Sequence, residues 1–107
     1  MQSTINPQEA FDLLKSGMAI LVDVRSPMEY SSSRIGGSML IPVNTFQNHW
    51  NLVKNYFPAN KKVIFYCASG IRSGSVTDYV NENTEIEAYN LVGGIVNWGR
   101  EGLEVER

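Results

Sequence analysis

The segment from Val63 to Gly74 reads V-I-F-Y-C-A-S-G-I-R-S-G, and it decides how the rest of the chain is interpreted. Its first four residues form an apolar run of the length expected for a buried β-strand. Cys67 follows at once, and a short loop containing a glycine and an arginine leads to a predicted helix that starts at Ser73. The segment therefore predicts a strand–loop–helix unit with Cys67 at the carboxyl end of the strand, where parallel sheets bind their ligands.

Segments typical of strands and of helices alternate along the rest of the chain. The predicted strands are Met18–Val24, Ser38–Val43, Val63–Tyr66 and Ile86–Val92, and the predicted helices are one that begins with the cap Asn6 and stops at Gly17, then Thr45–Phe57, Ser73–Asn81 and Ile95–Glu101. Such alternation predicts an α/β fold with a parallel β-sheet that is flanked by helices on both faces. No linker, repeat or low-complexity tract interrupts the sequence, so residues 1–107 are expected to form one domain.

Composition argues against several classes of partner. Nine Lys and Arg face eleven Asp and Glu, and no basic run is present, so we expect neither nucleic acid nor an acidic membrane as a partner. The longest apolar runs are far shorter than the roughly 18 residues that cross a bilayer. The first thirty residues lack the apolar stretch of a secretion signal, and a cytoplasmic location is the expectation.

The chain has one cysteine and one histidine. A single cysteine excludes a disulfide framework within the chain, and it leaves a thiol that is either buried filler or a reagent. A single histidine makes a zinc site of several nitrogen and sulfur ligands unavailable. We therefore expect no metal, and we interpret His49 as a surface or capping residue of the helix Thr45–Phe57.

The loop after Cys67 has the features of an anion site. Loop amides and the first free N–H groups of the following helix can converge on one point, which favours a thiolate and any anion beside it. Gly70 permits the backbone dihedrals that a tight loop needs, and Arg72 adds a permanent cation that suits an oxyanion or shapes the loop. These residues predict a partly exposed nucleophile of lowered pKa at Cys67. A buried cysteine with an arginine that only caps the turn is the alternative.

Three motifs resemble those of single-domain rhodaneses. Residues 67–73, C-A-S-G-I-R-S, match the active-site signature C-x-x-G-x-R-S of that family. The D-V-R sequence at 23–25, followed by Glu29-Tyr30, resembles its acidic strand end, and residues 90–98, N-L-V-G-G-I-V-N-W, resemble its closing L-x-G-G-x-x-x-W element. One position departs from the pattern, because Arg34 stands where the family usually has a histidine.

The resemblance implies a sulfurtransferase that needs no cofactor. Its donor would be thiosulfate or a persulfide, and its acceptor would be a thiol, cyanide or a partner sulfur-carrier protein. The implied catalytic residues are Cys67, which would become a persulfide, and Arg72. The remaining loop residues would bind substrate, and three further residues would support the site, Asp23 and Arg25 by ion pairing and Trp98 as core or pocket wall. The substrate-binding set is Ala68, Ser69, Gly70, Ile71 and Ser73.

The alternatives differ in how the loop would be used. Cysteine phosphatases and arsenate reductases also place a cysteine and an arginine around an anion, but the related phosphatase loop is C-x5-R. Here four residues separate Cys67 from Arg72, and the shorter loop suits one added sulfur better than a tetrahedral phosphate. A non-catalytic binding or regulatory domain is the other alternative, although inactive rhodanese-like domains typically lose the cysteine that this chain keeps.

The residue after the cysteine bears on the choice of donor. Rhodaneses that favour thiosulfate often have a basic residue at this position, and here it is Ala68. A less charged persulfide is therefore expected to be a better donor than the thiosulfate dianion.

Overall fold

The computed structural model describes residues 3–107 as a five-stranded parallel sheet with helices on both faces. The strands lie in the order β1-β5-β4-β2-β3. They are β1 Thr4–Ile5, β2 Ala19–Asp23, β3 Met39–Leu40, β4 Lys62–Tyr66 and β5 Ala88–Leu91. The helices are α1 Pro7–Lys15, α2 Pro27–Ser32, α3 Phe46–Val53, α4 Ile71–Asn83 and α5 Gly94–Arg100, and 3-10 turns cover Val43–Thr45 and Lys54–Tyr56. The predicted α/β class with a parallel sheet is confirmed.

Two apolar cores lie on opposite faces of the sheet. On one face, Trp50 of α3 and Val80 of α4 are buried together with Phe65 of β4. On the other face, Ala10 of α1 and Trp98 of α5 pack against the alternate residues of the same strands. The central strands are thus covered on both sides, which explains their nearly continuous apolar sequences.

Two short elements were not predicted from the sequence. β1 has only two residues, too few to show a pattern, and it forms because it pairs in register with the last strand, Thr4 with Asn90. α2 buries none of its residues, so it has no apolar periodicity. Its start does carry a signal: Ser26 and Glu29 form a reciprocal capping box, with Pro27 at the first helical position.

Three predicted elements, the second strand and the second and third helices, have boundaries that differ from those of the structure. The strand predicted at Ser38–Val43 is only Met39–Leu40, since β3 is an edge strand that pairs with β2 alone. The helix predicted at Thr45–Phe57 ends at Val53 and continues as a 3-10 turn. α4 starts two residues before Ser73 and runs to Asn83, because Gly70 adopts a left-handed conformation (φ 105°) that starts the helix early. Arg72 is consequently a helical residue and not a loop residue.

Helix α5 is joined directly to the end of β4. Its first amides, those of Ile95 and Val96, donate to the carbonyl oxygens of Cys67 (2.9 Å) and Ala68 (3.2 Å). Gly94 has a φ of 62°, and a Cβ atom there would contact the carbonyl oxygen of Cys67 and lie 2.5 Å from that of Ala68. The close approach of α5 to the strand end therefore requires glycine at this position.

Replacing Gly94 by alanine is expected to destabilise the fold much more than the same change at Gly102. Both residues have positive φ, 62° and 82°, but a Cβ on Gly102 would meet nothing within 4 Å. Gly102→Ala should cost only the left-handed conformation, about 1–2 kcal/mol. Gly94→Ala should cost about 1–3 kcal/mol more, because backbone must move. Urea denaturation measures both free energies of unfolding, and equal losses would contradict this account of the α5 contact.

Candidate active site

Cys67 lies at the carboxyl end of β4, directly after Tyr66, with its side chain on the face covered by α3 and α4. The residue is only 1% exposed. The prediction of a partly exposed thiol was therefore wrong. The physical reason is that α4 begins so early: only three residues separate Cys67 from the helix, and they turn tightly over the sulfur atom instead of leaving it open to solvent.

Three donors surround the sulfur atom of Cys67. The backbone amide of Gly70 lies 3.1 Å from Sγ, the amide of Ser73 3.4 Å, and the hydroxyl oxygen of Ser73 3.3 Å. Ser73 belongs to the first turn of α4, whose amides have no partner within the helix. The predicted convergence of loop and helix amides on the cysteine is thus present in the structure.

The surroundings of Cys67 shift its pKa in two opposed ways. Burial raises the pKa of the thiol, because it disfavours the charged form. The hydroxyl and the amide of Ser73, together with the amide of Gly70, lower that pKa by donating hydrogen bonds to the sulfur, and the nearby amide of Ser69 lowers it further. The hydrogen bonds outweigh the burial, and the net pKa is lowered. The direction agrees with the sequence prediction, and the geometry favours a thiolate.

Arg72 is held by Glu29 of α2 through two parallel hydrogen bonds, Nη1 to Oε1 at 2.8 Å and Nη2 to Oε2 at 3.0 Å. The hydrogen bond from Arg72 is the largest influence on the carboxyl group and lowers the pKa of Glu29 to about 2. Since this pKa is depressed, the pair contributes stability above the ordinary pKa of a glutamate and loses it as the pH falls toward 2. At neutral pH the positive charge of Arg72 is matched by a negative charge.

Sequence patterns do not identify Glu29 as the partner of Arg72. In the sequence, Glu29 appears only as part of the family motif that follows the D-V-R sequence. The available signal was the capping box of α2, which fixes the Glu29 carboxylate beside the amide of Ser26 at 2.9 Å. That signal places the glutamate at a helix start, but it does not say that the helix faces the cysteine loop.

Asp23, the last residue of β2, forms a buried ion pair with Arg25, as expected from the sequence. The guanidinium of Arg25 donates to both carboxylate oxygens of Asp23, at 2.7 Å in the shortest contact, and also to the carbonyl oxygen of Ser33 at 2.6 Å. The same guanidinium lies over the ring of Tyr66, with 5.6 Å from its carbon to the ring centroid. The pair fixes the segment after β2 to the strand that carries Cys67.

The remaining predicted site residues lie at different depths. Ser69 and Ile71 are exposed at the outer rim of the loop, Ala68 is partly exposed, and Ser73 is buried beneath them. Trp98 is not part of the cysteine loop. It packs on the opposite face of the sheet with Phe11, and its indole Nε1 donates to the carbonyl oxygen of Glu104 at 3.0 Å. Its contribution to the site is indirect, because it fixes the helix α5 that contacts the loop.

Two residues singled out in the sequence lie away from the sulfur. Arg34, at the position of the family's histidine, pairs with Glu106 through two backbone hydrogen bonds of 2.9 and 2.7 Å, so it anchors the carboxyl-terminal segment. His49 is exposed on α3, where its Nδ1 lies 3.2 Å from the hydroxyl of Thr45. Of the two roles expected for His49, surface residue or helix cap, the surface role is confirmed.

Within residues 3–107, no group of three or more His, Cys, Asp and Glu side chains is placed to hold a metal ion. No helix in the described part of the chain is long and apolar enough to cross a membrane.

Comparison with known proteins gives consistent likenesses. The chain is 31% identical over 102 residues to the thiosulfate sulfurtransferase GlpE of Actinobacillus succinogenes. This alignment covers 95% of this chain and 88% of GlpE. It is 34% identical to a rhodanese-like domain protein from Staphylococcus aureus whose crystal structure superposes over the full length of both chains with a TM-score of 0.77. A probable adenylyltransferase/sulfurtransferase, MoeZ of Mycobacterium tuberculosis, is 36% identical over 100 residues.

The extent of these matches differs. The chain aligns with MoeZ over 92% of its own length but spans only 25% of that protein. The model of the family described as rhodanese-like domain matches residues 6–101, which include the cysteine loop, both ion pairs and α5. The chain belongs to the rhodanese-like domain family.

Proposed function

We propose that this protein is a sulfurtransferase in which Cys67 carries a sulfane sulfur as a persulfide. The observation that carries the proposal is the set of three donors around Sγ, from Gly70 and Ser73, on a thiol whose pKa is lowered. These donors stabilise a thiolate before the reaction, and the same groups stabilise the thiolate that forms again at its end. The sulfurtransferase names of relatives such as GlpE support the same activity.

In the first half-reaction the Cys67 thiolate attacks the outer sulfur of the donor. A new S–S bond forms to Sγ, and the S–S bond within the donor breaks with its electron pair on the leaving group. With thiosulfate the leaving group is sulfite, and with a low-molecular-weight persulfide it is a thiolate. The product is a Cys67 persulfide anion, so charge and sulfur are conserved without a proton transfer at Sγ.

In the second half-reaction an external nucleophile takes the outer sulfur. Cyanide becomes thiocyanate, and a thiolate becomes a persulfide, while the S–S bond to Sγ breaks and the Cys67 thiolate returns. The chain has no second cysteine that could attack this bond from within. The acceptor is therefore a separate molecule, which is a small thiol, cyanide or a thiol of a sulfur-carrier protein. We propose that the exchange takes place in the cytoplasm.

The charge at the site favours donors of low charge. The bidentate pairing with Glu29 offsets the cation of Arg72, and Ala68 adds none. Thiosulfate, a dianion, meets no unbalanced positive charge there. Backbone amides and the Ser73 hydroxyl remain as the main donors, and they serve a persulfide as well as they serve thiosulfate. We therefore propose that a persulfide is the better donor.

Incubation with thiosulfate or a persulfide should add one sulfur atom to the protein, and cyanide should remove it. Intact-protein mass spectrometry measures both changes. Cys67→Ser should show neither, although it should fold normally because the serine hydroxyl can occupy the same buried position and use the same donors. Sulfur added equally to wild type and to Cys67→Ser, or none added to wild type by either donor, would contradict the proposed function.

Opposite changes of charge at the ion pair should move the thiosulfate KM in opposite directions. Glu29→Gln leaves Arg72 unbalanced and should lower this KM about fivefold at low salt, whereas Arg72→Ala leaves Glu29 unpaired and should raise it by at least as much, since a dianion near one added charge gains or loses about 1 kcal/mol. Salt should reduce both effects by screening. Steady-state kinetics with thiosulfate test this, and KM values that move together would show that the pair only shapes the loop.

Ala68→Arg should also lower the thiosulfate KM, because it places a cation at the outer rim next to the sulfur. The turnover of a less charged persulfide should change little. Matched assays of the two donors at low and high salt separate attraction of the dianion from a general change in the loop. Saturation of the native protein at micromolar thiosulfate, with no gain from Ala68→Arg, would overturn the argument from charge.

A further inference from the structure

Asn90 is a buried polar residue that has no role in the predicted site or in the proposed reaction. It lies on β5 opposite Phe65 of β4, and it is 5% exposed. Its side chain reaches the first turn of α4. There Nδ2 donates to the carbonyl oxygen of Gly70 at 2.9 Å, and Oδ1 accepts from the hydroxyl of Ser73 at 2.6 Å. Both partners of Asn90 also take part in the cradle around Cys67.

The orientation of the Asn90 amide is fixed by its neighbours. The carbonyl oxygen of Gly70 can only accept, so the amide nitrogen must face it, and Oδ1 must face Ser73. An amide oxygen has no proton to give. The Ser73 hydroxyl is therefore the donor in its contact with Asn90.

The hydroxyl of Ser73 has only one proton but two acceptors. One is Oδ1 of Asn90 at 2.6 Å, and the other is Sγ of Cys67 at 3.3 Å. Ser73 is completely buried, so water does not supply a second donor at this oxygen. When Cys67 is a neutral thiol, its S–H can donate to Oγ while the hydroxyl donates to Asn90. When Cys67 is a thiolate, the anion needs the hydroxyl proton itself.

We propose that Asn90 and Cys67 compete for the single proton of the Ser73 hydroxyl, and that Asn90 is a positioning residue which holds this proton whenever the sulfur is not an anion. The proposal rests on the role of Cys67 as the nucleophile. It adds that the hydrogen bond between Ser73 and Asn90 influences how readily the Cys67 thiol ionises. On ionisation, the thiol proton leaves to solvent. The hydroxyl then turns about its Cβ–Oγ bond, loses its hydrogen bond to Oδ1 and donates to Sγ.

The competition follows the two half-reactions. In the persulfide the charge lies on the outer sulfur, so the Ser73 proton returns to Asn90. When the acceptor takes the outer sulfur, the electron pair of the breaking S–S bond moves to Sγ, and the hydroxyl turns back toward it. The Ser73 hydroxyl proton thus stabilises the Cys67 thiolate at the step in which the negative charge forms on Sγ.

The charged groups around the cysteine loop are two ion pairs that the proposal leaves unchanged. Arg72 of α4 is paired with Glu29 of α2, and Asp23 is paired with Arg25 beyond β2. The first turn of α5, which contacts the strand end, contains no titratable side chain. Substitution of Asn90 therefore alters the partners of the Ser73 proton without altering a nearby charge.

Asn90→Leu is the decisive variant. It keeps the branched shape of the side chain and excludes water, but it removes the competing acceptor. It leaves no buried group without a partner, since the Ser73 hydroxyl still has Sγ and the carbonyl oxygen of Gly70 still accepts from the amide of Gly74 at 3.0 Å. The freed hydroxyl should stabilise the thiolate, so the pKa of Cys67 should fall by about 0.5 to 1 pH unit. Asn90→Ala, which is smaller, should lower it in the same direction.

The pKa is read from the rate of alkylation by iodoacetamide against pH, which reports Cys67 alone because the chain has one cysteine. The matched control is the same change in a Ser73→Ala background. There the hydroxyl is absent, and Asn90→Leu should no longer shift the pKa. A shift of equal size with and without the Ser73 hydroxyl would show that Asn90 acts by bracing Gly70, and an unchanged or raised pKa in both single variants would also overturn the proposal. Since alkylation does not require sulfur transfer, these outcomes are independent of the mass-spectrometric test of the proposed function.

Discussion

The two hydrogen bonds from the start of α5 to the end of β4 are the contacts on which the site depends. The loop turns the amide of Gly70 inward to the sulfur, and the carbonyl oxygens of Cys67 and Ala68 accept from α5 instead. Buried carbonyl groups need donors, and the free amides at a helix start supply them. Gly94 lets that helix come close enough, and the second core, on the face that contains Trp98, fixes the helix in place.

Two ion pairs perform a second structural task, since they hold the short helix α2 to the sheet. This helix buries none of its residues, so apolar packing does not explain its position. Arg25 donates to the carbonyl oxygen of Ser33 at its end, and Arg72 binds Glu29 in its first turn. The charged residues near the cysteine therefore also fix α2 beside the cysteine loop. This structural role explains why the guanidinium of Arg72 is paired with the Glu29 carboxylate.

The sequence predicted the parts of the fold that follow from apolar patterns and helix caps. The central strands, α1, α5 and the position of Cys67 at a strand end were all evident. The exposure of Cys67 was not, because it depends on where α4 starts, and that start depends on the backbone conformation of Gly70. The partners Glu29 and Asn90 were also missed, since each meets the loop only through the order of strands and the placement of α2. The apolar pattern of one segment carries no information about side-chain contacts between segments that are distant in the sequence.

The strand order ties the site to the order in which the chain is made. Among the strands of residues 3–107, β1 comes first in the sequence and pairs with β5, which comes last, and α5 follows β5. Until these last segments leave the ribosome, the loop around Cys67 lacks the donors that hold its carbonyl oxygens. The loop around Cys67 therefore gains all of its contacts only when β5 and α5 have joined the sheet. Any function of this thiol that depends on those contacts is therefore confined to the folded domain.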